Sequence, residues 1–267
     1  GIHCSDNEKL LTDILRKEWG HQGIVVTDWG AMNDRIEGFK AGCDLSMPGG
    51  SDYMEDDVAK AVRSGALAEE IIDENVDRMI ELILQSAARL QKNATFDLEA
   101  HHEMAREAAR EGIVLLKNKN HILPLQEGTK VALIGKMAEK IRYQGAGSSH
   151  INPTKLVQPK DVISHVAFAV GCDERGNTDE NLIKEAEKAA RTAEVAVVFA
   201  GLTEVYESEG FDRKDMKMPK GHVRMIEAVA SANPNTIVVL MCGSAVECPW
   251  MDEVSGVLYA GLSGQAG

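Results

Sequence analysis

The sequence predicts an α/β protein in two parts: a strand-plus-helices piece at residues 1–90, a connector at 91–128, and an α/β/α sandwich with a mostly parallel sheet at 129–267. Two observations carry this. From Val131 onward, five short apolar runs, mostly β-branched, alternate with helical segments, the pattern of a parallel sheet covered on both faces. Before it, a single continuous apolar run, Ile24-Val25-Val26, stands among amphipathic helices, as a strand buried on both faces would. A length of 267 residues is ample for a sizeable core.

In chain order, residues 8–18 place Leu10, Leu11, Ile14 and Leu15 at helical spacing, and Gly20 and Gly23 end the pattern before the apolar run. Thr27-Asp28-Trp29-Gly30 then marks the carboxyl end of that strand. A helix is expected over 33–41, followed by Asp44-Leu45-Ser46-Met47 and the turn Pro48-Gly49-Gly50. Helices follow at 53–64 and 68–91, a linker at 93–97, a helix at 98–113, and a strap without clear period to Gly128. The expected strands are 131–135, 165–171, 195–201, 236–243 and 255–261, with helices at 180–192 and 220–232.

Charge narrows the partners. Acidic residues number 42 against 29 basic, a net charge of −13, and a field of that sign repels phosphate backbones and anionic lipid surfaces. No nucleic acid and no membrane partner is expected, and no apolar run reaches the ~18 residues of a spanning helix. The five cysteines are odd in number and irregularly spaced, with no CxxC pair, which suits a reducing, cytoplasmic setting. A chain that begins at Gly1 without Met and stops at Gly264-Gln265-Ala266-Gly267 reads as an excised piece of something longer.

Few residue patterns here offer chemistry. Asp28 at a strand's carboxyl end projects where α/β proteins bind ligands, or it caps the next helix. The loop from Glu204 to Arg213 carries Glu204, Glu207 and Glu209. Crowded like charges raise a carboxyl pKa if the loop is buried, giving a general acid, whereas an exposed loop is simply solvated. Gly145-Ala146-Gly147-Ser148-Ser149 matches no phosphate-loop spacing. Its glycines admit a close backbone approach and its serines can donate to a polyol, or it is a plain turn. His101, His102 and His121 have no carboxylate at ligand spacing and read as surface histidines. Cys242 reads as a small core residue, and no GxSxG elbow is present.

Taken together, Gly23-Ile24-Val25-Val26-Thr27-Asp28-Trp29-Gly30 and Ala41-Gly42-Cys43-Asp44-Leu45-Ser46-Met47-Pro48 resemble the end of the catalytic barrel of glycoside hydrolase family 3, the β-glucosidase family. Glu111-Gly112-Ile113-Val114-Leu115-Leu116-Lys117-Asn118 and Leu123-Pro124-Leu125 resemble its interdomain strap. Gly147-Ser148-Ser149, Glu209-Gly210-Phe211-Asp212-Arg213 and Gly261-Leu262-Ser263-Gly264-Gln265 follow in the family's order. The resemblance implies that the first part is the C-terminal part of a (β/α)8 barrel and that the first part of that barrel is missing. Unpaired strand edges would then favour homo-oligomers or aggregation.

The resemblance further implies a retaining β-glucosidase, with Asp28 as nucleophile, Glu209 as acid/base, Trp29 as a wall against the sugar and Ser148 as a hydroxyl reaching it. Glu207 is the runner-up acid, and Asp212 and Arg213 are expected to pair with each other or with backbone. The expected partner is a small β-glucoside or oligosaccharide, and no metal or organic cofactor is implied. A β-xylosidase or related exo-glycosidase is the nearest alternative. The N-acetylglucosaminidase branch fits less well, because it places its acid on a barrel loop. The rival of another class is a non-catalytic sugar-binding module.

Overall fold

The computed structural model describes residues 1–49 and 52–267. Gly50, the last residue of the expected Pro48-Gly49-Gly50 turn, lies outside the described residues. The chain divides into two compact units, Gly1–Thr95 and Phe96–Gly267.

The first unit is helical. A π-helix, Lys9–Glu18, is followed by α1 (Arg35–Ala41), α2 (Asp52–Ser64) and α3 (Glu69–Arg89). The apolar run at 24–26 does not form the buried strand its composition predicts. Val26 makes one parallel bridge to Leu45 and is 44% exposed. The reason is pairing: a parallel strand is buried by neighbours on both sides, and the partner here is the segment around Leu45, which receives the Thr27 N–H at 2.9 Å and returns its own N–H to Val25 at 3.1 Å.

Charge fixes that segment. Asp44 has a fully buried side chain that takes Arg16 Nη2 at 2.6 Å and Arg78 Nε at 2.7 Å, and its Oδ2 also accepts the Val25 N–H at 2.7 Å. One carboxylate therefore joins the π-helix, the apolar run and α3. Asp34 starts α1 by accepting the N–H groups of Ile36 and Glu37 at 2.9 and 3.1 Å, the usual N-cap arrangement.

The second unit is built on six strands: β1 (Val114–Asn118), β2 (Val131–Ile134), β3 (Ala167–Ala169), β4 (Val195–Gly201), β5 (Thr236–Met241) and β6 (Gly256–Tyr259). Their order is β1-β6-β5-β4-β2-β3. Every neighbouring pair is parallel except β1 with β6, so the sheet is mixed. The sequence expectation missed β1, which falls in the segment read as a strap. It is an edge strand with one partner, and Val114, Leu115 and Leu116 are each about half exposed, so no burial period marks it.

Alternation along β4 shows why the sheet is covered twice. Ala196, Val198 and Ala200 face a cluster with Ile183 and Ala186 of α7 (Glu180–Arg191) and with Met225, Ile226 and Val229 of α8 (Lys220–Ala232). Val195, Val197 and Phe199 face Met137, Ala138 and Ile141, at and just beyond the short α5 (Lys136–Glu139). Two more helices complete the unit, α4 (Leu98–Gly112) and α6 (Pro159–Val162). His102 on α4, expected at the surface, is buried and its Nδ1 accepts the Gln265 Nε2–H at 2.8 Å. A histidine pattern on a helix cannot reveal which turn a distant segment covers.

Candidate active site

Asp28 and Trp29 lie on the loop that ends the 24–26 segment. The Trp29 N–H donates to Asp28 Oδ1 at 2.5 Å, and Gly30, at φ +74°, donates its N–H to the Met47 carbonyl at 2.8 Å. Thr27 Oγ1 accepts the Met47 N–H at 2.9 Å. The loop is thereby tied to the segment anchored by Asp44, while the Trp29 ring stands 70% exposed. A cleft of about 430 Å³ lies beside it, lined by Thr27, Asp28, Val25 and Cys43 among others.

Ser148 and Glu209 lie in the second unit and touch. The Ser148 N–H donates to Glu209 Oε2 at 2.6 Å, and the Ser148 hydroxyl lies 3.0 Å from each carboxylate oxygen. The contact requires a glycine before the serine. Gly147 has φ +76°, and a Cβ there would stand 2.7 Å from the Glu209 Cβ and 1.9 Å from its Oε2. The glycines of the 145–149 motif thus serve a carboxylate, and Ser148 meets a glutamate that the sequence places 61 positions away.

Glu207, two residues before Glu209, has a different environment. Its Oε2 takes Arg142 Nη1 at 2.6 Å and the Gly243 N–H at 3.0 Å, and its Oε1 takes the Ser244 hydroxyl at 2.5 Å. Arg142 Nη2 also donates to the Glu207 carbonyl at 2.8 Å, and Nη1 to the Leu202 carbonyl at 2.8 Å. Partial burial pushes the Glu207 carboxyl up, but the bonds from Ser244, Gly243 and Arg142 together outweigh it and hold its pKa below the ordinary carboxylate value. Glu207 is therefore an ionised strut that closes the base of the loop. A general acid must hold a proton near neutrality, which this environment opposes.

Arg213 completes the loop by donating to Ser244 Oγ at 2.8 Å and to the Ala245 carbonyl at 2.9 Å. That is the backbone pairing expected of it. Arg142, Ser244 and Gly243 were not singled out from the sequence. Arg142 is a lone arginine between Ile141 and Tyr143, and only its burial in the fold shows its role. Gly147 alone carried a visible signal.

Comparison with known proteins gives a consistent picture. Residues 113–267 match the Glycosyl hydrolase family 3 C-terminal domain and residues 1–82 the Glycosyl hydrolase family 3 N terminal domain. The chain is 47% identical over its whole length to the thermostable beta-glucosidase B of Acetivibrio thermocellus, covering 36% of that protein. It is 41% identical, again over its whole length, to an exo-alpha-(1->6)-L-arabinopyranosidase of Bifidobacterium longum, covering 37% of it. The crystal structure of a family 3 beta-glucosidase from Bifidobacterium adolescentis superposes on the entire chain with a TM-score of 0.91 at 41% identity, using 40% of that chain. The chain thus spans little more than a third of the length of these curated relatives.

Proposed function

The chain belongs to glycoside hydrolase family 3, and from that premise we propose that it carries both catalytic carboxylates of a retaining β-glucosidase, Asp28 as nucleophile and Glu209 as acid/base. The observation that carries the reading is the contrast between two glutamates of one loop. Glu207 is consumed by Arg142, Gly243 and Ser244, whereas Glu209 is exposed near the loop tip with its carboxylate oriented by Ser148. The first unit is then the end of a (β/α)8 barrel and the second a three-layer sandwich.

A retaining mechanism needs two carboxyl groups about 5–5.5 Å apart, one ionised and one protonated. Asp28 Oδ1 takes the Trp29 N–H, which leaves Oδ2 to attack the anomeric carbon. Glu209 Oε2 receives the Ser148 main-chain N–H, so the proton belongs on Oε1, from which it passes to the glycosidic oxygen as the bond to the aglycone breaks. In the second step ionised Glu209 removes a proton from water, the hydroxide attacks the anomeric carbon, and Asp28 departs as carboxylate. The exposed Trp29 ring is the wall on which the sugar packs, and the Ser148 hydroxyl is shared between Glu209 and the sugar.

The substrate is a terminal β-D-glucoside. The second reading is an α-L-arabinopyranoside, favoured by the 41% identity to a relative of that name. In both the glycosidic bond of a pyranoside is cleaved by the same double displacement. Incubation with a 2-deoxy-2-fluoro β-glucoside, whose second step is slow, tests the reading by peptide mapping. A sugar adduct on the Asp28 peptide is expected. An adduct on any other carboxylate overturns the assignment, and a chain extended to the length of its relatives provides the same test with the barrel complete. In that longer chain Asp28→Asn and Glu209→Gln should each lower turnover of an aryl β-glucoside by orders of magnitude, and unchanged turnover would refute the pair.

A further inference from the structure

The loop that carries Glu209 leaves β4 at Gly201 and turns at Glu209-Gly210, where Gly210 has φ +91°. Its two limbs come back to one place. On the incoming limb Glu207 takes the Gly243 N–H at 3.0 Å and the Ser244 hydroxyl at 2.5 Å. On the outgoing limb Arg213 Nη1 donates to that same Ser244 Oγ at 2.8 Å and to the Ala245 carbonyl at 2.9 Å. The segment 243–245, just beyond β5, therefore holds both limbs of a short tip, 208–212, and Glu209 lies inside that tip.

The two anchors differ in what else holds them. Glu207 also has Arg142, whereas both side-chain hydrogen bonds of Arg213 among the described residues go to Ser244 and Ala245. Arg213 Nη2 is buried with no hydrogen-bond partner among the described residues, a cost to the fold that a solvated surface arginine does not carry. The half-buried guanidinium is thus kept in place through one nitrogen, and what that nitrogen secures is the outgoing limb.

From the other side Ser148 holds the carboxylate itself, through its N–H at 2.6 Å from Oε2 and its hydroxyl at 3.0 Å. Those bonds orient the head group. They do not fix the backbone beneath it, because ordering a tip of this length costs more than a pair of hydrogen bonds returns. The limbs must supply that order. A reacting group misplaced by ~1 Å costs about a hundredfold in rate, so an anchor that touches no substrate is enough to govern the site.

We propose that Arg213 is a positioning residue: by pinning the outgoing limb to Ser244 and Ala245 it sets where the Glu209 carboxyl stands. That this placement governs proton transfer to the glycosidic oxygen rests on the reading of Glu209 as acid/base; the placement itself does not.

Two measurements test it. In this chain, amide exchange at Ser148, whose N–H is bonded to Glu209 Oε2, reports where the carboxylate stands. Arg213→Met should speed that exchange at least about tenfold while β4 and β5 keep their protection. Arg213→Lys, which keeps a charged donor, should speed it less. Ser244→Ala, at an exposed position where folding is not at stake, removes one of the two seats and should give a smaller rise than Arg213→Met. Unchanged exchange at Ser148 in Arg213→Met, or an equal rise across β4 and β5, overturns the proposal.

The second measurement uses the chain extended to the length of its relatives. Arg213→Met should lower kcat/KM about tenfold or more for methyl β-glucoside, whose leaving group needs a proton, and less than about twofold for 2,4-dinitrophenyl β-glucoside, whose leaving group needs none. In a Glu209→Gln background it should add no further loss, because the two residues act as one unit. Equal losses on both substrates, or a full additional loss in the double variant, would show a general structural role and refute the positioning. If Glu209→Gln itself spares the methyl glucoside while Arg213→Met still frees the Ser148 amide, the acid/base reading falls and the positioning of Glu209 stands.

Discussion

Ser148 grips Glu209 from two directions, with its main-chain N–H 2.6 Å from Oε2 and its hydroxyl 3.0 Å from both carboxylate oxygens. A hydroxyl has one proton, so it shares that proton between the two oxygens while the backbone bond fixes the carboxylate plane. The backbone part of this grip depends on the turn at Gly147, whose φ of +76° a side chain would strain.

Gly147→Ala is the sharpest probe of that turn. The added methyl would meet the Glu209 Cβ at 2.7 Å, so the glutamate must leave its position or the turn must change. The cost of the backbone conformation is about 1–2 kcal/mol. The expected outcome is a small loss of thermal stability and, in the longer chain, a loss of aryl-glucoside turnover of tenfold or more. Ser148→Ala, which keeps the N–H, should lose less.

Glu207→Gln tests the strut. Arg142 is left with a buried charge and no carboxylate, a loss on the order of 3 kcal/mol, measurable by denaturant unfolding of the second unit. The pH dependence has a definite sign. The folded pKa of Glu207 is lowered, so its stabilisation is fully present above the unfolded value, about 4.3, and fades as pH falls through the folded value. The variant should lack that part of the acid limb. The part carried by Glu139, whose hydrogen bonds to Lys136 and Lys160 hold it at about 2, should remain.

Asp44→Asn should act on the first unit. Arg16 and Arg78, with side chains 14% and 19% exposed, would lose the buried carboxylate they share, for a destabilisation of about 3–5 kcal/mol. Hydrogen exchange should rise at Val25 and Leu45 while β4 and β5 keep their protection. Faster exchange throughout both units would show that Asp44 has a wider role.

The thiols should react in a fixed order. Burial pushes Cys172 up to about 12 and Cys242 up to about 11, so neither presents a thiolate near neutral pH. Cys4 is exposed. Iodoacetamide at pH 8 should label Cys4 in the folded chain, and Cys172 and Cys242 after unfolding, as read by peptide mass.

The apolar runs at 131–135, 195–201 and 236–243 were legible because each is a central strand, covered on both faces, whose composition leaves no alternative. β1 was not legible, since an edge strand with exposed Val114, Leu115 and Leu116 has neither a continuous buried run nor an alternating one. The 24–26 run was overread for the converse reason: its composition suits burial, but burial depends on neighbours that composition does not supply.

The sequence by itself determined the α/β class, the order of β2 to β6 with α4, α7 and α8 in the second unit, and the residues offered for chemistry, because helix and strand periodicity and glycine conformation are local properties. Only the tertiary structure decided which glutamate serves as a strut and which stays near the loop tip. That choice depends on Arg142, Gly243 and Ser244 reaching Glu207 across 65, 36 and 37 positions, and on Ser148 reaching Glu209 across 61. Hydrogen bonds and charge pairing act through space, and their partners are set by packing rather than by spacing along the chain.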